Sequence, residues 1–365
     1  MSGTSADGVD AALVGIESGK INFQLAATTP YSTSLQDRLL ELNNTAAIPL
    51  GELVKLDTEI ATVFAETAVK LIRSNGGKDP ITTIGSHGQT VFHQPNGPFP
   101  GTLQLGNASV IAQLTGIDTV ADFRSADIAC GGQGAPLTPA FNKAIFEATT
   151  PRVVLNLGGI ANLTILHKKN LCEKTLGFDT GPANTLVDAW IKTQQNKPYD
   201  NNGAWAKTGV CSDVLLSQFL SDPYFSKEPP KSTGPDYFNL PWVQAHINRT
   251  GEIFEPQDVQ ATLVDLTATS IARSIKVYYP NGTEILLCGG GSHNAYLVER
   301  LVAHCDHCSI TTTEEASGLD VDHCESVAFA WLAYRYRAGL PGNLPSVTGA
   351  KKSVVLGALH RAPIC

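Results

Sequence analysis

Two segments of the chain pair a glycine-rich turn with apolar strands, and this recurrence limits the folds available to it. The opening turn MSGTSADG leads into VDAALVGIE, and RVVLNLGGIANLTIL places two apolar segments around Gly158 and Gly159. Alternating apolar residues predict paired strands at both places. At 365 residues the chain is also too long for one ordinary core. We therefore predict an α/β fold of two duplicated domains with a cleft between them.

We place the first domain at residues 1–121 with 344–365 and the second at residues 122–343. Apolar residues that recur every three or four positions predict a long helix over residues 50–75. Helices are also predicted over residues 259–278 and in ESVAFAWLAYRYRAG. Apolar runs that end in glycine, such as EILLCGGG, predict strands.

The composition is typical of a packed enzyme and disfavours several other classes. Hydrophobic residues make up 42% of the chain and charged residues 16%, and the net charge of -8 comes without a basic stripe. Nucleic-acid binding is therefore not expected. The first residues lack the basic and apolar regions of a signal peptide, and no apolar run is long enough to span a membrane. We predict a cytoplasmic protein, with monomer and homodimer both open.

Four glycine-containing turns combine glycine with serine, threonine, asparagine or aspartate: MSGTSADG, NLGGIAN, FDTGPAN and CGGGSHN. Each one alone is typical of an ordinary hairpin. Together they favour a nucleotide whose phosphates are held by backbone N–H groups. The chain contains neither the GxxxxGK[ST] phosphate loop nor the GxGxxG dinucleotide motif.

Carboxylates inside or beside these turns predict phosphoryl transfer, which needs a hard cation on oxygen ligands and a base near the acceptor. Asp7 lies in the first glycine turn, where a water-mediated contact with Mg²⁺ is expected. Asp179 ends an apolar segment, in a turn that could point it into the cleft. Asp122 and Asp127 have a plainer interpretation, as helix caps or as partners of Arg124.

Two polar, glycine-rich and largely uncharged loops are typical of sites that bind sugar hydroxyls. They are SHGQT at 86–90 and GGQGAPLTPAF at 131–141. His87 could act as a base, but no serine or cysteine nucleophile motif surrounds it. A structural role or a hydrogen bond to substrate is therefore expected for His87. Gln89, Asp127 and Gln133 are further candidates for substrate contacts.

Taken together, the motifs resemble those of the anhydro-N-acetylmuramic acid kinase family. The resemblance is carried by MSGTSADGVD, GSHGQT, QLGNASVIAQLTGIDTVADFR, GGQGAPLTPAF, NLGGIANLT, GFDTGPAN, DNNGAWA, PPKSTGPDYFNLPW, QATL and CGGGSHN, in that order over nearly the whole chain. It implies a fold of the actin, Hsp70 and sugar-kinase type. It also implies an enzyme that uses ATP and water to open the 1,6-anhydro ring of the sugar while it phosphorylates O6. The product would be N-acetylmuramate 6-phosphate, in the recycling of peptidoglycan fragments.

The resemblance also implies roles for single residues. Asp179 matches the family's catalytic base, which takes a proton from the water that attacks the anomeric carbon. His87, Arg124 and Glu325 would border the sugar. The residues expected to contact ATP, with Asp7 also next to Mg²⁺, are Ser2, Gly3, Thr4, Ser5, Asp7, Gly8, Asn156, Gly158, Gly159, Asn162, Gly289, Gly290, Gly291 and Asn294.

Three positions depart from the family's pattern, Asn142, Ala183 and Asn202, and none of them removes the predicted base. In the family a strand precedes the MSGTS turn, so we interpret the sequence as truncated before Met1. Two alternatives stay open for the function. One is a kinase of another anhydrosugar, such as levoglucosan. The other is an ATP-dependent switch protein of the actin or Hsp70 type that phosphorylates no small molecule.

Overall fold

The computed structural model describes residues 1–3, 6–17, 19–44, 47–76, 80–169 and 173–363. The chain divides into two compact units, Met1–Ile145 with His323–Cys365 and Phe146–Asp322. The domain limits expected from the sequence, at 121/122 and 343/344, both lie inside the first unit.

The first segment of the first unit alternates hairpins with helices. Its two long strands pair antiparallel, two shorter strands form a separate hairpin, and the strands Ile84–Gly85 and Thr119–Ala121 pair parallel. The elements in chain order are β1 (Gly8–Glu17), β2 (Lys20–Pro30), α1 (Thr33–Asn44), α2 (Leu50–Ser74), β3 (Ile84–Gly85), β4 (Gln89–Gln94), β5 (Gly101–Leu105), α3 (Ala108–Thr115), β6 (Thr119–Ala121), α4 (Ser125–Ala129) and α5 (Thr138–Phe146).

The second unit is built on a five-stranded mixed sheet of order β11-β10-β7-β8-β9. Its first three strands form an antiparallel meander, and the last two add in parallel beside β7. The elements are β7 (Arg152–Leu157), β8 (Ile160–Leu166), β9 (Leu176–Pro182), α6 (Asn184–Gln195), α7 (Asp213–Leu220), α8 (Leu240–Thr250), α9 (Pro256–Tyr278), β10 (Glu284–Cys288), α10 (Ala295–His304), β11 (Ser309–Thr312) and α11 (Thr313–Ser317).

The last segment of the chain returns to the first unit, as α12 (Cys324–Arg337), α13 (Pro345–Thr348) and β12 (Ala358–His360). Helix α12 packs on β1 and β3, and β12 pairs antiparallel with β6. The Phe141 ring of α5 meets the Trp331 ring of α12 edge-on at 6.0 Å. These contacts explain why residues 122–145 and 323–343 belong to the first unit, where the sequence analysis placed them in the second domain.

The long helices follow the apolar spacing of the sequence. The helix predicted over residues 50–75 is α2, which buries Leu56, Ile60, Phe64 and Leu71 against the core of the first unit. The helix predicted over 259–278 lies within α9, which is buried along most of its length. Each fully buried aliphatic side chain contributes about 1.5–3 kcal/mol. The α/β class and these two helices are confirmed.

A cavity of about 1060 Å³ lies in the first unit, lined by β1, β2, α2 and residues 80–86. Among the described residues, none of those predicted to contact ATP or the sugar lines it.

Candidate active site

The opening glycine turn is held in shape by Gln89 of β4. The Ser2 hydroxyl donates to the Gln89 side-chain oxygen at 2.5 Å, and the Gln89 amide donates to the Gly3 carbonyl at 3.0 Å. Both side chains are buried. Ser2 and Gln89 therefore bind each other and set the shape of the turn, where the sequence analysis expected direct contacts with ATP and the sugar. Thr4 and Ser5 lie outside the described residues.

Asp7 presents an exposed carboxylate from a fixed main chain. Its carbonyl accepts the Tyr31 N–H at 3.0 Å. A Cβ on the next residue, Gly8, would lie 2.5 Å from the Thr29 carbonyl oxygen, so the close approach of β1 and β2 requires glycine there. This arrangement leaves the Asp7 carboxylate open to a hydrated cation.

His87 and Arg124 form the centre of a polar network in the first unit. Arg124 Nε and Nη2 lie 3.1 and 2.8 Å from His87 Nε2, and Nη1 donates to the Gly134 carbonyl at 2.7 Å. Because a guanidinium only donates, His87 Nε2 is the acceptor. The proton is then on His87 Nδ1, which donates to the Gly88 carbonyl at 2.9 Å.

This geometry gives His87 a structural role. Burial, and then the charge of Arg124, lower the pKa of His87 well below its ordinary value. The ring is therefore neutral and its one lone pair is occupied, so it cannot take a proton from water. His87, which packs on the Phe329 ring at 4.5 Å, holds Arg124 in place.

Arg124 remains a cation next to Glu325. Burial lowers the pKa of Arg124 to about 10, and the charge of Glu325, in the first turn of α12, opposes this shift. The guanidinium is fixed on one side by His87 and Gly134. Such a fixed fork can recognise a carboxylate.

Asp127 is a buried scaffold residue. Its carboxylate is fully buried and accepts hydrogen bonds from the Gly134 N–H at 2.8 Å, Asn343 Nδ2 at 2.6 Å and the Thr348 hydroxyl at 2.7 Å. A Cβ on Gly132 would lie 2.2 Å from Asp127 Oδ2. The expectation that Asp127 touches substrate is therefore corrected: Asp127 orients the loop whose Gly134 carbonyl binds Arg124.

Gln133 lies on the exposed side of the same loop. Its amide donates to the Asn96 side-chain oxygen at 3.0 Å, and its N–H donates to the Thr348 carbonyl at 2.7 Å. Gln133 thus links the loop to the tip of the β4–β5 hairpin, and its side chain is accessible.

The lowered pKa of His87 predicts a pH dependence of stability. The folded chain keeps His87 neutral, whereas the unfolded chain takes up a proton below about pH 6.5. This contribution to the free energy of unfolding is complete above the unfolded pKa and is lost as the pH falls toward the folded pKa. His87→Gln can still accept from Arg124 and should lose less stability on acidification. Urea unfolding at about pH 7.5 and about pH 5.5 measures the difference; equal losses in parent and variant would exclude His87 as the source.

In the second unit, the glycine turn between β7 and β8 packs against the start of α6. The Gly158 carbonyl accepts the Asn184 N–H at 3.1 Å, and the Gly159 carbonyl accepts those of Ala183 and Thr185 at 2.9 and 3.0 Å. A Cβ on Gly159 would lie 2.6 Å from Thr185 Oγ1. The carbonyls of the turn therefore satisfy the first N–H groups of α6.

The turn after β10 lies against the end of β7. A Cβ on Gly289 would lie 2.2 Å from Asn156 Oδ1, and one on Gly291 would lie 2.8 Å from Leu157 Cβ, whereas one on Gly290 would meet no atom within 4 Å. Gly289 and Gly291 thus allow close packing, and Gly290 borders open space. Asn294 caps α10 by accepting the Leu297 N–H at 3.1 Å. Of the predicted ATP contacts in this turn, Gly290 is the accessible one.

Asp179 of β9 has its carboxylate held from two sides. Asn162 Nδ2 donates to Oδ1 at 2.8 Å, and the Thr233 N–H donates to Oδ2 at 3.0 Å. Asn162 is the register partner of Asp179 across the β8–β9 pair. Asn162, expected from the sequence to contact ATP, therefore orients the predicted base.

The pKa of Asp179 is raised above its ordinary value, chiefly by burial. The hydrogen bonds from Asn162 and Thr233 and the charge of Lys231 oppose this shift. A half-buried carboxylate of fixed orientation and raised pKa is suited to accept a proton from water.

Three residues that position Asp179 carried no predicted role. Tyr224, Lys231 and Thr233 contact it through the Tyr224 hydroxyl, the Lys231 carbonyl and the Thr233 N–H. They lie in or near the proline-rich PPKSTGPDYFNLPW stretch. The sequence feature that could have indicated these residues is the short polar run Lys-Ser-Thr between two prolines and a glycine.

The profile described as "Anhydro-N-acetylmuramic acid kinase" matches residues 1–362. The chain belongs to the anhydro-N-acetylmuramic acid kinase family. It is therefore a member of a family of kinases, and the predicted enzyme class is confirmed.

Curated relatives with that name match over nearly their whole length. One from Coxiella burnetii is 47% identical over 364 residues, covering 99% of this chain and 96% of the relative. Relatives from Photobacterium profundum and Aliivibrio fischeri are each 44% identical, covering 99% of this chain and 97% and 98% of their own lengths.

Among solved structures, the chain is similar to an activator of the 2-hydroxyisocaproyl-CoA dehydratase from Clostridium difficile with bound ADPNP. The identity is 12% and the TM-score 0.42, over 90% of this chain and 94% of that one. A similarity this low carries no information about function. Separately, no helix in the described ranges combines the length and apolar character that crossing a membrane requires.

Proposed function

We propose that this chain is an ATP-dependent kinase that opens the 1,6-anhydro ring of anhydro-N-acetylmuramic acid with water and phosphorylates O6, giving N-acetylmuramate 6-phosphate. The family and the names of the relatives support the substrate. The observation that carries the chemistry is Asp179, a carboxylate oriented by Asn162 and Thr233 whose pKa is raised by burial.

In this proposal Asp179 is the general base. It takes a proton from a water molecule, whose oxygen forms a bond to the anomeric carbon while the bond from that carbon to O6 breaks. The released O6 forms a bond to the γ-phosphorus of ATP, and ADP leaves. The proton on Asp179 then passes to solvent. A base whose pKa is raised toward the working pH holds a transferred proton better than an ordinary carboxylate does.

The sugar and the nucleotide are assigned to different groups. Arg124 is proposed to bind the lactyl carboxylate, because it is a cation whose orientation is fixed by His87 and Gly134. The turns at Gly158–Gly159 and Gly290 are proposed to bind the ATP phosphates and adenosine through backbone atoms, since Gly290 borders open space.

Mg²⁺ is proposed to accompany ATP, with Asp7 as its nearest protein carboxylate. The described residues hold no group of three or more metal-binding side chains. An exposed Asp7 fits an ion that takes most of its ligands from phosphates and water. When bound, the ion would offset the charge of the transferred phosphoryl group.

We expect Asp7→Asn to raise the Mg²⁺ concentration needed for half-maximal rate, because the amide is a weaker ligand for a hydrated cation. Asp10→Asn is the matched control, since the Asp10 carboxylate accepts the Thr28 hydroxyl at 2.6 Å. A Mg²⁺ titration of the initial rate measures both. An unchanged Mg²⁺ dependence in Asp7→Asn, or full parent activity in excess chelator, would contradict a Mg²⁺ site at Asp7.

The proposed function is tested by ADP release over a set of sugars. The rate should be highest with anhydro-N-acetylmuramic acid, lower with the analogue that lacks the lactyl group, and lower still with levoglucosan and ordinary hexoses. An equal or higher rate with levoglucosan would assign the chain to another anhydrosugar. ATP turnover that needs no sugar would contradict a kinase of this type.

A further inference from the structure

Asp179 lies on an edge strand, so the sheet fixes it from one side only. Strand β9 ends the order β11-β10-β7-β8-β9. On the outer side, the Asp179 N–H donates to the Lys231 carbonyl at 3.1 Å, and the Tyr224 hydroxyl donates to the Asp179 carbonyl at 2.8 Å. The main chain of the proposed base therefore depends on residues outside the sheet.

Tyr224 is itself rigidly held. Its N–H donates to the buried Asp222 carboxylate at 2.8 Å, which also accepts from the Tyr237 hydroxyl at 2.8 Å and from Trp242 Nε1 at 2.9 Å. The Trp242 ring stacks on Phe219 at 5.1 Å. Tyr224 thus links the main chain of Asp179 to a packed aromatic cluster.

Lysine ammonium groups lie over the face of the same Tyr224 ring. Lys231 Nζ lies 4.9 Å from the ring centroid and 3.5 Å from the Tyr224 carbonyl oxygen. Lys227 Nζ lies 5.7 Å from the same centroid, but Lys227 is exposed, whereas Lys231 is half-buried. An ammonium over an aromatic face is stabilised there by the ring quadrupole, more so when it is desolvated.

We propose that Tyr224 and Lys231 are positioning residues for Asp179: the Tyr224 hydroxyl and the Lys231 carbonyl fix the main chain of the base, and the Tyr224 ring, whose hydroxyl touches Asp179, also holds the Lys231 ammonium in the neighbourhood of the carboxylate. The inference rests on the proposed role of Asp179 as base.

The charges around Asp179 agree with this assignment. Lys231 lowers the pKa of Asp179 against the effect of burial. Burial lowers the pKa of Lys231; the charge of Asp179 opposes this shift and the charge of Lys227 adds to it. Burial and Asp179 raise the pKa of Tyr224, so its hydroxyl stays protonated and donates.

Substitutions at two positions separate the effect of the Lys231 charge from that of the Tyr224 hydroxyl. Lys231→Met should move the acidic limb of the kcat/KM profile to higher pH, because the carboxylate loses a cation that lowers its pKa. Lys231→Arg should restore the limb. Tyr224→Phe keeps the ring and should lower kcat by about three- to tenfold at every pH, the effect of about one lost hydrogen bond, without moving the limb.

Tyr237→Phe is the matched control, since its hydroxyl binds Asp222 in the same cluster and does not touch Asp179. It should leave the limb in place and lower kcat by less than Tyr224→Phe does, because it reaches Asp179 only through Asp222 and Tyr224. An acidic limb that stays in place in Lys231→Met, or a Tyr224→Phe variant indistinguishable from Tyr237→Phe, would overturn the inference.

If the proposed function itself were wrong, the experiments would give a different set of results. If Asp179 were not the base, Asp179→Asn would keep its activity. The attraction between Lys231 and Asp179 would still appear as a coupling free energy in a double-mutant cycle of Lys231→Met and Asp179→Asn, measured by urea unfolding. A coupling free energy of zero in that cycle would show that the charges of Lys231 and Asp179 do not interact.

Discussion

Asp179→Asn should lower kcat by about 10²–10⁴-fold, the contribution typical of a general base. The amide is nearly the same size and can still accept from one of its two donors, Asn162 or Thr233, but it cannot take a proton. The KM for ATP should change little, because no ATP contact is assigned to the Asp179 side chain. Steady-state kinetics with both substrates measure the effect.

Asp122→Asn is the control for a carboxylate that does no chemistry. Asp122 accepts from the Ser125 hydroxyl at 2.5 Å and the Ser125 N–H at 3.3 Å, so its carboxylate binds the first residue of α4. Its φ of 57° is one that asparagine also adopts. We expect near-parent kcat in this variant. If Asp179→Asn keeps more than about a tenth of the parent kcat, the water is activated elsewhere.

Asp127→Ala should reduce the free energy of unfolding of the first unit by about 3 kcal/mol or more, since it leaves three buried donors without an acceptor at about 1 kcal/mol or more each. The donors are the Gly134 N–H, the Asn343 amide and the Thr348 hydroxyl. Chemical denaturation measures the loss, and hydrogen exchange should place it in the first unit.

Asp127→Asn provides a second variant at the same position. Its amide oxygen can accept, but its NH₂ faces one of the donors, so we expect a loss of the same kind. Activity under conditions where the variant is folded should fall less than in Asp179→Asn, because Asp127 acts through Gly134 and Arg124. A loss below about 1 kcal/mol in Asp127→Ala would contradict the scaffold role.

The sequence predicted those elements whose signal is local. The apolar spacing of α2 and α9 extends over many turns, so both helices were predicted at nearly their observed positions. Helix α8 was missed, because the Pro241 that reads as a breaker stands in its first turn, where proline is tolerated. The Asn239 side chain caps it by accepting the Trp242 N–H at 3.0 Å.

The same distinction applies to the site residues: a local motif can be recognised in the sequence, whereas contacts between residues far apart in the chain cannot. The role of Asp179 as base stays a prediction, which rests on the resemblance of GFDTGPAN to a family motif. The role of Asp127 was missed, because two of its donors, Asn343 and Thr348, lie 216 and 221 residues away in the chain. A spacing pattern carries no information about contacts of that range. The position of the Lys231 ammonium likewise depends on the Tyr224 ring, over which it lies, and this contact is not visible in the sequence.

In the proposed mechanism one turnover, with Asp179 as base, both opens the ring and transfers the phosphoryl group. Measuring ADP and new reducing ends in the same reaction with anhydro-N-acetylmuramic acid tests this directly. We predict equal rates for the two products in the parent, and an equal fall of both in Asp179→Asn. ADP formed without reducing ends, or reducing ends that persist at the parent rate in Asp179→Asn, would contradict the account.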